Sequence, residues 1–119
     1  MTEKILKDYQ EFVKSVNKKI DDPEKEIMSH GLGICGEAGD AAGCIKKTIS
    51  HKDGQLPGLK ENLGDTLWYI AAICNFYDWS LEDVISENVA KLKNRYPTGQ
   101  FTEKDAAKRK RIDWNEKQN

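Results

Sequence analysis

The sequence contains no stretch of strict polar and apolar alternation, no internal repeat and no low-complexity segment. Without alternation there is nothing from which to build a half-buried sheet, and an all-α chain is what remains. Long apolar runs are missing too. The longest, Leu67 to Phe76, falls far short of the roughly 20 residues that span a bilayer, so no membrane segment is read. Cysteine is scarce and unpatterned: Cys35, Cys44 and Cys74 are odd in number and show no C-x-x-C spacing, which argues against a disulfide framework. Nothing at the N-terminus resembles a signal peptide, and a reducing cytoplasm is the expected location. Neither sign of charge dominates. With 19 basic and 20 acidic residues the net charge is −1, and no global field points to a nucleic-acid polymer as partner.

What is present is a chain of 119 residues, 33% charged and 38% hydrophobic, the size of one domain (1–119) with a core over about 3–102 and a basic C-terminal segment at 103–119. Four helices are legible. Ile5, Tyr9, Phe12, Val13 and Val16 form a stripe at helical spacing within about Glu3 to Ile20. Asp21-Asp22-Pro23 ends that helix and starts the next, because proline is tolerated in a first turn and a preceding Asp caps its amides. The second helix is expected from about Glu24 to Ile49, with Ser50 to Pro57 as a loop. The third, about Leu59 to Tyr77, repeats Leu63, Leu67, Ile70, Ala71 and Cys74 and should be the most buried. Ser80-Leu81-Glu82-Asp83 then opens a fourth, about Leu81 to Arg95, with Leu81, Val84, Ile85, Val89 and Leu92 turned inward and Pro97-Thr98-Gly99 as its stop. The run Lys108-Arg109-Lys110-Arg111 reads as a solvated charge cluster. One thin bundle of this composition leaves apolar stripes that a second copy would cover.

Two acidic clusters on successive helices are the chemically informative feature: Gly36-Glu37-Ala38-Gly39-Asp40 and Glu61-Asn62-Leu63-Gly64-Asp65. At about 100° per residue, Glu37 and Asp40 are offset by roughly 60° and Glu61 and Asp65 by roughly 40°, so each pair shares a helix face. Small or apolar neighbours place these acids beside core surface. Carboxylates so placed repel one another unless a positive charge stands between them. Hard oxygen donors suit Mg²⁺, or Mn²⁺, and inward carboxylates on paired helices are a known way to hold it. The alternative reading of Glu37, Asp40 and Asp65 is a solvated helix face. Gly31, Gly33, Gly36, Gly39 and Gly43 each cost a helix about 1 kcal/mol relative to Ala. They imply either close helix approach, weighted toward Gly31 and Gly33, or open space for a ligand beside Glu37 and Asp40. His30 and His51, with Cys35 and Cys44, invite a zinc reading that their spacing does not support.

Taken with Thr66-Leu67-Trp68-Tyr69-Ile70, Ser80 to Val84 and Asn88-Val89-Ala90-Lys91-Leu92-Lys93-Asn94-Arg95-Tyr96-Pro97, the two clusters make the chain resemble the MazG-like nucleotide pyrophosphohydrolases, over roughly residues 27 to 102. The resemblance implies a four-to-five-helix bundle of the all-α nucleoside triphosphate pyrophosphatase type, assembled as a homodimer or homotetramer. It implies Mg²⁺-dependent cleavage between the α- and β-phosphates of a nucleoside triphosphate. Metal ligands in that family come from an E-x-x-E pair and an E-x-x-D pair. Glu37 and Asp40 match the first, with Asp in place of its second Glu, Asp65 ends the second, and Asn62 stands where the pattern has Glu. Glu61, one position earlier, either supplies the missing oxygen or is a neighbour of the site. Lys91 and Arg95 match basic positions suited to the leaving diphosphate, and Asn88 shares their face. Trp68 is read as a base-stacking or core aromatic. Lys47 is read as a phosphate contact or, with Lys46, as compensation of a helix C-terminus. A weakly active or non-catalytic nucleotide-binding module on the same scaffold is the alternative function.

Overall fold

The computed structural model describes residues 2–51 and 54–108, and among them there are helices and turns but no strand. The chain divides into two compact units, Met1–Leu81 and Glu82–Asn119. The first holds α1 (Thr2–Val16), α2 (Pro23–Lys46), a π-helical turn (Lys47–His51) and α3 (Leu56–Phe76). The helix α4 (Leu81–Arg95) begins at the boundary and runs through the second unit.

The Asp-Pro signal at the start of α2 behaves as expected. Asp22 is extended, and its carboxylate accepts from the Glu24 amide at 3.0 Å and the Lys25 amide at 3.4 Å, with Pro23 in the first turn. Three other boundaries differ from the sequence reading. α1 stops at Val16 rather than Ile20, and the Asn17 side chain meets His30 Nε2 at 3.3 Å instead of continuing the helix surface. α2 ends earlier, at Lys46, but the chain stays helical to His51 by widening into a π turn. α3 starts at Leu56, so Pro57 belongs to its first turn and not to the loop before it. α4 has the bounds the sequence predicts, with Glu82 and Asp83 in its first turn.

The core of the first unit is small. Val13 is fully buried against Ala71 and Ala72, with Tyr9 and Trp68 packed around them. Two adjacent alanines on α3 leave no bulk to hold α1 away, and the single valine fills the space between the helices. The expected stripe on α1 therefore packs through Tyr9 and Val13, while Ile5, Phe12 and Val16 stay exposed. On α3, Ala71, Ala72 and Cys74 are buried, but Leu63 and Leu67 are exposed, against the expectation of a continuous buried face. A polar clasp closes the same end. Gln10 Nε2 donates to Asn75 Oδ1 and to the Trp79 carbonyl, each at 3.0 Å, while Asn75 Nδ2 returns a bond to the Gln10 carbonyl at 3.0 Å. The Leu81 amide donates to Gln10 Oε1 at 2.6 Å. Asp78, at φ 60°, makes the tight turn that brings Trp79 and Leu81 back to Gln10.

In the second unit Val84, Ile85, Val89 and Leu92, expected to face inward, remain partly exposed. Beyond α4, the Tyr96 and Phe101 rings lie 5.7 Å apart, and Thr102 Oγ1 accepts from the Asp105 amide at 3.1 Å at the head of a short helix, 103–108. Of the basic run, Lys108 is described and exposed; its other three members, like the His51 side chain, lie outside the described residues. No helix among the described residues is long and apolar enough to cross a membrane.

Candidate functional site

α2 and α3 are the most extensively packed pair of helices, and they carry the two acidic pairs. They pack closely at Gly33, where a Cβ would fall on the Tyr69 ring; close packing there is what the sequence led one to expect. Gly31, grouped with it on sequence grounds, has nothing within 4 Å of a built Cβ. The same is true of Gly36 and Gly39, which leaves open space beside Glu37 and Asp40.

Around that opening the four carboxylates act on one another. Glu37 is half-buried, and its carboxyl is held above the ordinary carboxylate range, first by desolvation and then by the negative charges of Asp65, Asp40 and Glu61. Acids from both helices therefore share one electrostatic neighbourhood. They are not sequestered between the helices, however: Asp40, Glu61 and Asp65 are exposed. Among the described residues no three His, Cys, Asp or Glu side chains gather closely enough to hold a metal ion. The donor set nevertheless fits a hard divalent cation, being carboxylate oxygen throughout, and Glu37, Asp40, Glu61 and Asp65 are the residues able to hold one.

Asn62 and Glu61 go different ways. The Asn62 amide donates to Cys44 Sγ on α2 at 3.5 Å, whereas Glu61 faces solvent and adds its charge to the field at Glu37. Trp68 packs against Val13, Ala71 and Ala72 and meets the Tyr69 ring edge-on at 5.1 Å. Lys47 lies exposed in the π turn. His30 is buried, with Nε2 at 3.5 Å from Glu26 Oε2 and its ring 6.3 Å from that of Trp68; Nδ1 has no hydrogen-bond partner. Asn88, Lys91 and Arg95 lie on α4 in the second unit, with Asn88 exposed, Lys91 half-buried, and the Arg95 guanidinium 5.9 Å from the centre of the Tyr96 ring.

The MazG nucleotide pyrophosphohydrolase domain matches residues 1–100. The chain belongs to that family. The MazG match takes in α1 to α4, with both acidic pairs and Asn88, Lys91 and Arg95, and the all-α architecture is consistent with a MazG-type fold. The "Gene 37 protein" of Mycobacterium phage L5 is 37% identical over 73 residues, a match that takes in 57% of this chain and 64% of the phage protein. No solved structure matches.

One neighbour of these acids escapes a sequence reading. Tyr9, on α1, has its phenol pushed above the ordinary range, first by burial and then by the charge of Asp65, which puts the first helix at the edge of the acidic face. The signal available was slight: Tyr9 is the one hydroxyl-bearing member of an otherwise apolar stripe.

Proposed function

We propose that this protein is a Mg²⁺-dependent nucleoside triphosphate pyrophosphohydrolase, with Mn²⁺ able to substitute, that converts a ribo- or deoxynucleoside triphosphate and water into the monophosphate and diphosphate. The observation that carries the reading is the state of Glu37. Three further carboxylates from two helices load negative charge onto it beside glycines that leave open space, a crowding that is unfavourable until a cation enters. A bound Mg²⁺ supplies charge neutralisation of the phosphate oxygens and acidification of water.

The chain's own residues then divide the work. Asp40, Asp65 and Glu61 hold the ion with Glu37. Together these carboxylates would orient the water that attacks phosphorus as the bond between the α- and β-phosphates breaks. The family resemblance assigns the diphosphate to Lys91 and Arg95, with Asn88 on the same helix, and Lys47 is read as a further phosphate contact. Hydrolysis is direct, because no serine or cysteine stands beside a base at a recognisable spacing. The partners are the nucleotide and further copies of the chain, as a homodimer or homotetramer. Exposed Leu32, Ile49, Leu56, Leu63 and Leu67 supply apolar surface for that assembly, which light scattering measures directly.

Release of diphosphate from each nucleoside triphosphate, with and without Mg²⁺, is the test. Metal-dependent release from at least one is expected. Binding without release would favour the weakly active module, and absence of any Mg²⁺-dependent nucleotide binding would remove both readings.

A further inference from the structure

One contact between α2 and α3 lies among the four acids yet involves none of them. Cys44 is one turn beyond Asp40, and its sulfur accepts the Asn62 amide proton at 3.5 Å. Gly58, one turn before Asn62, borders the same sulfur: a Cβ there would stand 3.4 Å from Sγ. The sulfur thus sits in a notch between consecutive turns of α3. Both partners are half-buried, where an amide-to-sulfur bond, weak in water, is better protected.

Each partner is also fixed on its own helix. The Cys44 carbonyl accepts from the Lys47 amide and from Thr48 Oγ1 at 2.9 Å, at the point where α2 widens into the π turn. The Asn62 carbonyl accepts from Thr66 Oγ1 at 2.7 Å, so the turn carrying Asp65 is tied to Asn62. Neighbouring helix positions diverge by about 100°, which is why Asn62 can turn to α2 while Glu61 stays in solvent.

We propose that the Cys44–Asn62 contact is a positioning device that fixes the register of α2 against α3 and thereby the reach of Glu37 and Asp40 toward Glu61 and Asp65, with Asn62 itself making no contact to a cation. The inference rests on the reading of these acids as a cation site. Its force comes from scale. A slip of one residue along a helix is about 1.5 Å, more than a Mg²⁺ ion with its short oxygen distances and near-ideal octahedron tolerates. A contact one turn beyond Asp40 on α2 and beside Glu61 on α3 is close enough in sequence to both pairs to prevent such a slip.

The test uses the full chain and Mg²⁺ alone, without nucleotide, followed by calorimetry well below the melting temperature. Cys44→Ala and Asn62→Ala should each weaken Mg²⁺ binding about tenfold, the scale of losing a group that orients ligands. The double variant should lose no more than either single one, and Cys44→Ser, which keeps an acceptor, should recover most of the loss. A purely structural contact would shift the urea midpoint and leave Mg²⁺ affinity alone. The proposal is overturned if Cys44→Ala leaves affinity unchanged while Asn62→Ala loses it, or if the two losses multiply, since either outcome means that Asn62 does not act through Cys44. Wild-type protein that takes up no Mg²⁺ removes the cation reading, and positioning of a cation site with it. A coupled Cys44–Asn62 effect in urea unfolding would then show a register contact of another purpose.

Discussion

The two halves of α3 are built on opposite terms. Its C-terminal half buries Ala71, Ala72 and Cys74, closes on Val13, and satisfies Asn75 through the clasp with Gln10. Its N-terminal half exposes Leu63 and Leu67 and carries Glu61 and Asp65 beside the acids of α2. One half has its polar groups paired and its apolar groups covered. The other holds unpaired like charges and uncovered leucines, an arrangement that lowers stability and that makes sense where a cation, a nucleotide or another copy completes it. The lesson is that stability and function are separated along a single helix, and substitutions should separate them too.

The largest effect is expected at the acidic end. Asp65→Asn should lower diphosphate release by about a hundredfold or more, the scale of removing one group that stabilises transferred charge. The melting temperature without metal should stay the same or rise, because one of the charges crowding Glu37 is gone. A fall in both would mean that Asp65 holds the fold together, and the contrast between the halves would be lost.

At the other end the expectation reverses. Val13→Ala removes the one large side chain that is fully buried among the described residues and should cost about 2 kcal/mol in urea unfolding. Gln10→Ala leaves the Leu81 amide and Asn75 Oδ1 without their partner and should cost about 1 kcal/mol or somewhat more. Neither should alter the Mg²⁺ concentration that half-saturates the folded protein. A tenfold change there would show that the clasp is coupled to the acidic face.

Much of this division could be read before the structure, and the part that could not has a common cause. Glu37 with Asp40 and Glu61 with Asp65 are pairs within one helix, and helical spacing alone puts each on a face. The Asp22-Pro23 cap and the bounds of α4 are equally local, and both stand as expected. What failed depended on a second element. Leu63 and Leu67 follow the apolar period of Ala71 and Cys74, but no described helix of this chain covers them. Pro57 looked like a loop residue because its place in a first turn is decided by where the chain re-enters the bundle. The bond from Asn62 to Cys44 links residues 18 apart, and no periodicity announces it.

The smallest effect, and the one that tests the contrast most directly, is the pH dependence of the metal-free protein. Glu37 holds its proton more tightly in the folded state than an ordinary glutamate does, with desolvation and then Asp65, Asp40 and Glu61 as the causes. Protonation of Glu37 therefore favours the fold. Its contribution is fully present below the unfolded glutamate range and is lost as pH rises through the raised value. Without metal, Glu37→Gln should flatten that part of the melting temperature's pH profile and sit above the wild type at neutral pH. In the proposed site proton and Mg²⁺ would compete for the same oxygens, so wild-type Mg²⁺ affinity should fall as pH drops through the same interval. Titration by calorimetry at stepped pH reads the second effect and thermal unfolding the first. If Glu37→Gln melts lower than the wild type at neutral pH without metal, the acids of α2 and α3 do not strain the free protein, and the two halves of α3 are not the opposites described above.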